Sequence, residues 1–168
     1  MKVERYYLEI NSIRDLKKSD SPDHNLILEK IKKHDFELNK FFYKNVGKKH
    51  RWVDRLSWDN LKWISYLENE NVHTYILKLK NELVGFFELI QDKSTQSTEI
   101  AYFGILEEYI GKKYGSYLLS EAISECFNLN SKRVWLHTCT LDHENALKNY
   151  LSRGMKIFKQ ENINLVLN

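Results

Sequence analysis

EIAYFGILEEYIGKKYGSYLLSEAI, Glu99 to Ile123, runs from an apolar strand through a glycine-containing turn into an amphipathic helix. A helix start leaves several N–H groups without intrahelical partners and carries the positive end of the helix dipole. A phosphate can therefore dock there on main chain alone. Gly111 and Gly115 remove side chains that would block a close approach, and Lys112 and Lys113 add positive charge at the same place. An ordinary βα turn would use the same residues, so the segment from Val134 onward has to decide between the two.

VWLHTCTLDHENALKNYLSRGM, Val134 to Met155, reads as a buried strand and then a helix opening near Asp142. Ala146 and Tyr150 share one face of that helix, and Gly154 marks its end. Strand, basic glycine turn, helix, strand, and a short helix ending in glycine: this order resembles the GCN5-related N-acetyltransferase (GNAT) family. The family's pyrophosphate signature, Q/R-x-x-G-x-G/A, falls on Ile110, Gly111, Lys112, Lys113, Tyr114 and Gly115. Its later pattern, N-x-x-A-x-x-x-Y-x-x-x-G-F, falls on His143, Ala146, Tyr150, Gly154 and Met155. There are departures at Ile110 for Gln or Arg, Lys113 for the first Gly, His143 for Asn, and Met155 for Phe. If the turn requires a positive φ at residue 113, a lysine there is strained.

The resemblance implies an α/β fold with a mixed, mostly antiparallel central sheet, helices on both faces and a splayed strand pair. The strands Glu99 to Leu106 and Lys132 to Thr138 would part so that the pantetheine arm of acetyl-CoA enters between them. It also implies a cosubstrate site built from Ile105, Leu106, Ile110, Gly111, Lys112, Lys113, Tyr114, Gly115, Ser116, His143 and Ala146. The expected activity is direct transfer of an acetyl group from acetyl-CoA to a primary amine.

Acyl transfer to an amine needs a base for the amine, polarisation of the carbonyl and a proton for the departing thiolate. Glu99 opens the strand leading to the phosphate turn, with Ala101 and Phe103 as its same-face neighbours by period two. A carboxylate at a cleft edge ahead of apolar residues has its pKa raised and suits a general base, directly or through water. The family resemblance puts the base on this strand; a solvated strand-end glutamate is the plain alternative. Glu88, in VGFFEL on the adjacent strand, competes for the role. The family's general-acid tyrosine falls on Tyr150, where core packing is the other reading.

The run HRWVDRLSWDNLKW lies where the family builds its acceptor pocket. Asp54 could pair with an ammonium group that Trp52 covers by cation–π contact, whereas Trp63 reads as a ring pinning a helix to the sheet. His137 joins the acceptor residues. His137 and Cys139 share a strand face, but third and fourth ligands at useful spacing are missing near His143, so no metal is expected.

The 168 residues fit one domain, 1–168, and a composition of 42% hydrophobic and 29% charged residues is that of a folded chain. A net charge of +3 spread over 26 basic and 23 acidic residues gives no reason to expect nucleic acid. No apolar run is long enough to span a bilayer, and MKVERYYLEI alternates like a strand rather than a signal peptide. Two cysteines without C-x-x-C spacing fit a reduced, cytoplasmic setting. The expected partner is an amine-bearing small molecule, peptide or protein, with the chain a monomer or homodimer.

Periodicity predicts strands over Val3 to Ile10, Leu26 to Ile31, Thr74 to Leu79 and Leu83 to Ile90. It predicts helices from Asp35 to Gly47, from a Ser57 cap to Glu68, over Tyr114 to Leu129 and over Glu144 to Arg153. Met155 to Phe158 and Ile163 to Leu167 read as a final hairpin. Two other functions remain open on the same fold: a catalytically silent acyl-CoA sensor, and a protein that docks a partner through its Trp-rich segment.

Overall fold

The computed structural model describes residues 1–165. Strand β1 (Lys2–Ile10) alternates as its sequence does, burying Val3, Leu8 and Ile10. It is followed by β2 (Leu26–Lys30) and α1 (Phe36–Gly47). Asp35 caps α1 by accepting from the Leu38 N–H at 3.3 Å, and the helix buries Phe42, Tyr43 and Val46. Helix α2 (Asn60–Glu68) starts later than its periodicity suggests, because Asp59 is the cap and accepts from the Lys62 N–H at 2.8 Å. Ser57 is consumed by the preceding turns, where Leu56 N bonds Val53 O and Trp58 N bonds Arg55 O. Those turns send Arg55 inward.

Strands β3 (Val72–Leu79) and β4 (Glu82–Asp92) form the expected hairpin, and β5 (Ser97–Ile105) follows. Then come α3 (Tyr114–Asn128), β6 (Arg133–Cys139), α4 (Ala146–Ser152) and β7 (Lys156–Asn164). The final hairpin is not formed. Residues 156–164 are one strand, paired along its length with β1 from Lys2↔Asn164 to Glu9↔Lys156; Val166 and Leu167 lie outside the described residues. The polar residues Lys159 to Asn162, read as a turn, are tolerated in a strand because β7 is a sheet edge facing solvent.

The seven strands lie in the order β2-β3-β4-β5-β6-β1-β7, and every pair is antiparallel except β5 with β6. Helices cover both faces. On one face Leu118, Leu119 and Ile123 of α3 and Tyr150 of α4 pack on Leu8, Leu77, Leu89 and Leu136. On the other, Phe42 and Val46 of α1 meet Ile76 and Phe86. The approach of α1 to β5 is close at Gly104, where a Cβ would fall 2.2 Å from Val46 Cγ1.

The β5–β6 pairing is short. It holds for Ser97↔Arg133, Thr98↔Val134 and Glu99↔Trp135, reinforced by a hydrogen bond between the Thr98 and Ser131 hydroxyls. Beyond Glu99 the strands diverge while each stays paired on its outer side, β5 with β4 and β6 with β1. A bulge in β5 sets Glu88 against Tyr102 and Leu89 against Ile100, leaving Ala101 without a partner. The bulge breaks the period-two reading of this strand. Phe103 joins Ile100 in the α3-side core, whereas Tyr102 packs on the α1 side.

Candidate active site

Between the splayed strands opens a cleft of about 1470 Å³. One mouth is the turn before α3. Gly111 has φ 85° and Lys113, as N-cap, has φ 64°; the second is a left-handed conformation that costs a side-chain-bearing residue about 1–2 kcal/mol. Among the described residues, the N–H groups of Lys113, Tyr114, Gly115 and Ser116 find no intramolecular acceptor. A Cβ on Gly115 would meet Ile105 Cγ1 only at 3.8 Å, so the protein's own packing does not require glycine there. Its bare backbone leaves the helix start open to the cleft.

Of the residues read as a cosubstrate site, Ile105, Ile110, Gly111, Lys113, Gly115, Ser116, His143 and Ala146 line the cleft. Leu106, Lys112 and Tyr114 do not. Leu106 and Tyr114 are buried in the two cores, and the Lys112 ammonium lies 5.6 Å from the Tyr109 ring centre. The β6–α4 connection is built by Asp142, whose carboxylate accepts from the Thr138 hydroxyl and from the Cys139 N–H. His143 Nδ1 accepts from the Asn145 N–H at 3.1 Å, and His50 Nδ1 donates to the Leu141 carbonyl at 3.1 Å. Asn149 ties α4 to α3 by donating to the Gly115 carbonyl at 3.2 Å. Sequence reasoning did not single out Asn149, whose i+3 spacing from Ala146 was the available signal.

Glu99 and Tyr150 both line the cleft. Glu99 stands where the strands part; burial raises its carboxyl above the usual range, and the Arg55 charge partly offsets that. Tyr150 packs edge-on against Phe103 with ring centres 6.4 Å apart. Burial, then the Asp142 carboxylate, pushes its phenol well above the ordinary value, so it keeps its proton at neutral pH. Burial and then Arg5 lower the His137 pKa, which leaves that imidazole neutral near pH 7. Trp52, Asp54 and His137 also line the cleft.

Glu88 does not. It is fully buried and accepts from Asn39 Nδ2 at 3.0 Å, Arg55 Nη1 at 2.8 Å and the Tyr66 hydroxyl at 2.8 Å. The Arg55 guanidinium carbon lies 4.1 Å from the Tyr102 ring centre, 4.2 Å from Tyr66 and 4.8 Å from Trp58. The aromatic segment therefore encloses an internal cation, and Trp63 is core, 1% exposed. Sequence reasoning missed Arg55. The signal was Glu88 itself, a carboxylate in an apolar strand that needs a buried countercharge.

The sheet, the parted strands and the open helix start define an acetyltransferase-type fold. A family model described as Acetyltransferase (GNAT) family matches residues 31–155, and the chain belongs to that family. No curated protein matches it in sequence. Among solved structures it is similar to a GCN5-related N-acetyltransferase from Sphaerobacter thermophilus, with a TM-score of 0.70 and 14% identity over 94% of this chain and 49% of that one. A Kribbella flavida GCN5-related N-acetyltransferase gives a TM-score of 0.65 and 14% identity over 94% and 55%. The chain thus spans about half the length of these two. A spermidine N-acetyltransferase from Vibrio cholerae, solved in complex with CoA and spermine, gives 0.64 and 19% identity over 79% of this chain and 81% of that one. Among the described residues no helix is long and apolar enough to cross a membrane, and no cluster of three His, Cys, Asp or Glu side chains could hold a metal.

Proposed function

We propose that the protein is an N-acetyltransferase that moves an acetyl group from acetyl-CoA to a primary amine in a ternary complex. The observation that carries this reading is the V between β5 and β6, with unpartnered helix N–H groups at one mouth and Glu99 and Tyr150 in its walls. The residues fit a CoA-type cosubstrate. The main chain from Lys113 to Ser116 offers donors to a pyrophosphate, and the inner edges of β5 and β6 offer unpaired amide groups to a pantetheine arm. The main chain released by the bulge at Ala101 is the candidate donor to the thioester carbonyl.

Chemistry then needs two proton transfers. Glu99, directly or through water, takes a proton from the acceptor amine, whose nitrogen attacks the thioester carbon. The C–N bond forms, the C–S bond breaks, and the departing thiolate takes the proton of Tyr150. A phenol kept neutral by burial is suited to that donation. The test is calorimetry with CoA followed by an amine screen that reads thiol release. Tyr150→Phe should lower turnover by roughly 10²- to 10⁴-fold with CoA affinity unchanged. An unaltered rate in the Phe variant would remove Tyr150 from the mechanism, and absence of CoA binding to the wild type would remove the reading itself.

A further inference from the structure

On the α1 face of the sheet the cleft continues past Glu99 onto β6 and β1. Arg5 lies there, paired across the strands with Cys139 of β6 and Glu161 of β7, and lines the cleft. Its Nε is shut off from solvent without an acceptor, and among the described residues its guanidinium makes no hydrogen bond or ion pair. A guanidinium so placed is a fork awaiting an oxyanion.

Its neighbours do not supply one. Glu161 faces it from β7, but one oxygen accepts from the Tyr7 hydroxyl at 2.6 Å and the other from Lys159 at 3.2 Å. Asp142 takes both the Thr138 hydroxyl and the Cys139 N–H on one carboxylate oxygen, Oδ2, and makes no ion pair with Arg5. His137 and Cys139, the other titratable groups on this face, carry no negative charge near pH 7. The remaining acids of the cleft, Asp54 and Glu99, come from the α1–α2 connection and from β5, across the opening from β1. The acceptor end of the cleft therefore sets Asp54 and Glu99 on one wall and Arg5 on the other; Arg153, whose Nε also lacks an acceptor, lies at the end of α4, and Arg51 shares the wall of Asp54.

From this juxtaposition we infer that the acceptor is an amino acid or similar small amino-carboxylate, its amine directed to Glu99 and Asp54 and its carboxylate held by Arg5. This rests on the acetyltransferase reading and narrows it. Polyamines, cationic throughout, meet like charge at Arg5 and are disfavoured. Arg5 also lies outside residues 31–155, the stretch shared with the family model, which suits a contact that selects the acceptor rather than one that serves the common chemistry.

The experiment is binding calorimetry on the full chain in the presence of CoA, comparing L-amino acids with their carboxamides and with spermidine. At least one amino acid should bind more than about tenfold tighter than its carboxamide, the discrimination expected when a half-buried charged fork loses its partner. Arg5→Gln should abolish that ratio by weakening the acid alone, and Arg5→Lys should keep part of it, with thermal melts confirming that both variants fold. Carboxamides or spermidine binding as well as the acids, no acid binding at all, or equal losses for acid and amide in Arg5→Gln would each overturn the assignment. Failure of the acetyltransferase reading would look different: no thiol release with any amine, whatever the binding preference.

Discussion

At Lys113 the backbone asks for glycine and the chain supplies lysine. Its φ of 64° is a left-handed conformation in which a Cβ is strained. Relief of that strain, less the extra unfolded-state freedom of glycine, should make Lys113→Gly more stable by about 0.5–1 kcal/mol, read as a rise in melting temperature. An unchanged or lower melting temperature would mean that the lysine side chain holds the turn in another way. Glu99 gives a prediction in pH. Its carboxyl is raised in the folded state from the reference value of 4.5, so the stability it lends is present at low pH and is lost as pH climbs through the folded value. Glu99→Gln cannot titrate, so the variant should gain on the wild type as pH rises from about 4.5 until the folded carboxyl is fully ionised, and then run parallel. Parallel curves from the acid end onward would mean that the group is not desolvated. Turnover in the same variant should fall on the order of 10²-fold or more if Glu99 is the base. The glutamate was readable because it precedes an apolar strand. Arg55 was not, because a lone cation in HRWVDRLSWDNLKW looks like the surface charges on either side of it, and only the fold brings it to Glu88.

Among elements, the legible ones were those whose pattern is set locally. Helix α1 announced itself through its Asp35 cap and apolar face, and α3 came directly from its turn. What could not be read depends on partners distant in sequence. Nothing local distinguishes the polar middle of β7 from a turn, since that strand is fixed by pairing with β1. Nor does the sequence mark the bulge at Ala101, which arises from register with β4 and turns Glu99 and Phe103 to opposite faces. The contact between α1 and β5 is equally invisible in sequence and can be probed directly. Gly104→Ala puts a methyl into Val46 and should cost about 1–3 kcal/mol in urea unfolding, most of it recovered in the Gly104→Ala, Val46→Ala double variant. Additive losses in the double variant would show that the two residues do not share that space. Because α1 leads into the loop carrying Trp52, Asp54 and Arg55, its displacement should also raise KM for the acceptor more than for acetyl-CoA.

Across the whole molecule, β1 joins the two ends of the chain. Its residues pair with β6 on one side and β7 on the other, and among the described residues β6 and β7 have no other antiparallel partner in the sheet. Removal of residues 1–10 should therefore abolish cooperative unfolding, measured by circular dichroism, rather than trim a terminus; a variant that still melts in a single sharp transition would contradict the strand order. The same placement bears on how the protein is made. Among the described residues β1 pairs only with residues from Val134 onward, so at ordinary elongation rates it waits after synthesis for roughly ten seconds with an apolar face and both edges bare. During synthesis nascent β1 is thus a natural client for chaperones, and slowing translation between β1 and β6 should increase aggregation of the product more than an equal delay before β1 has emerged.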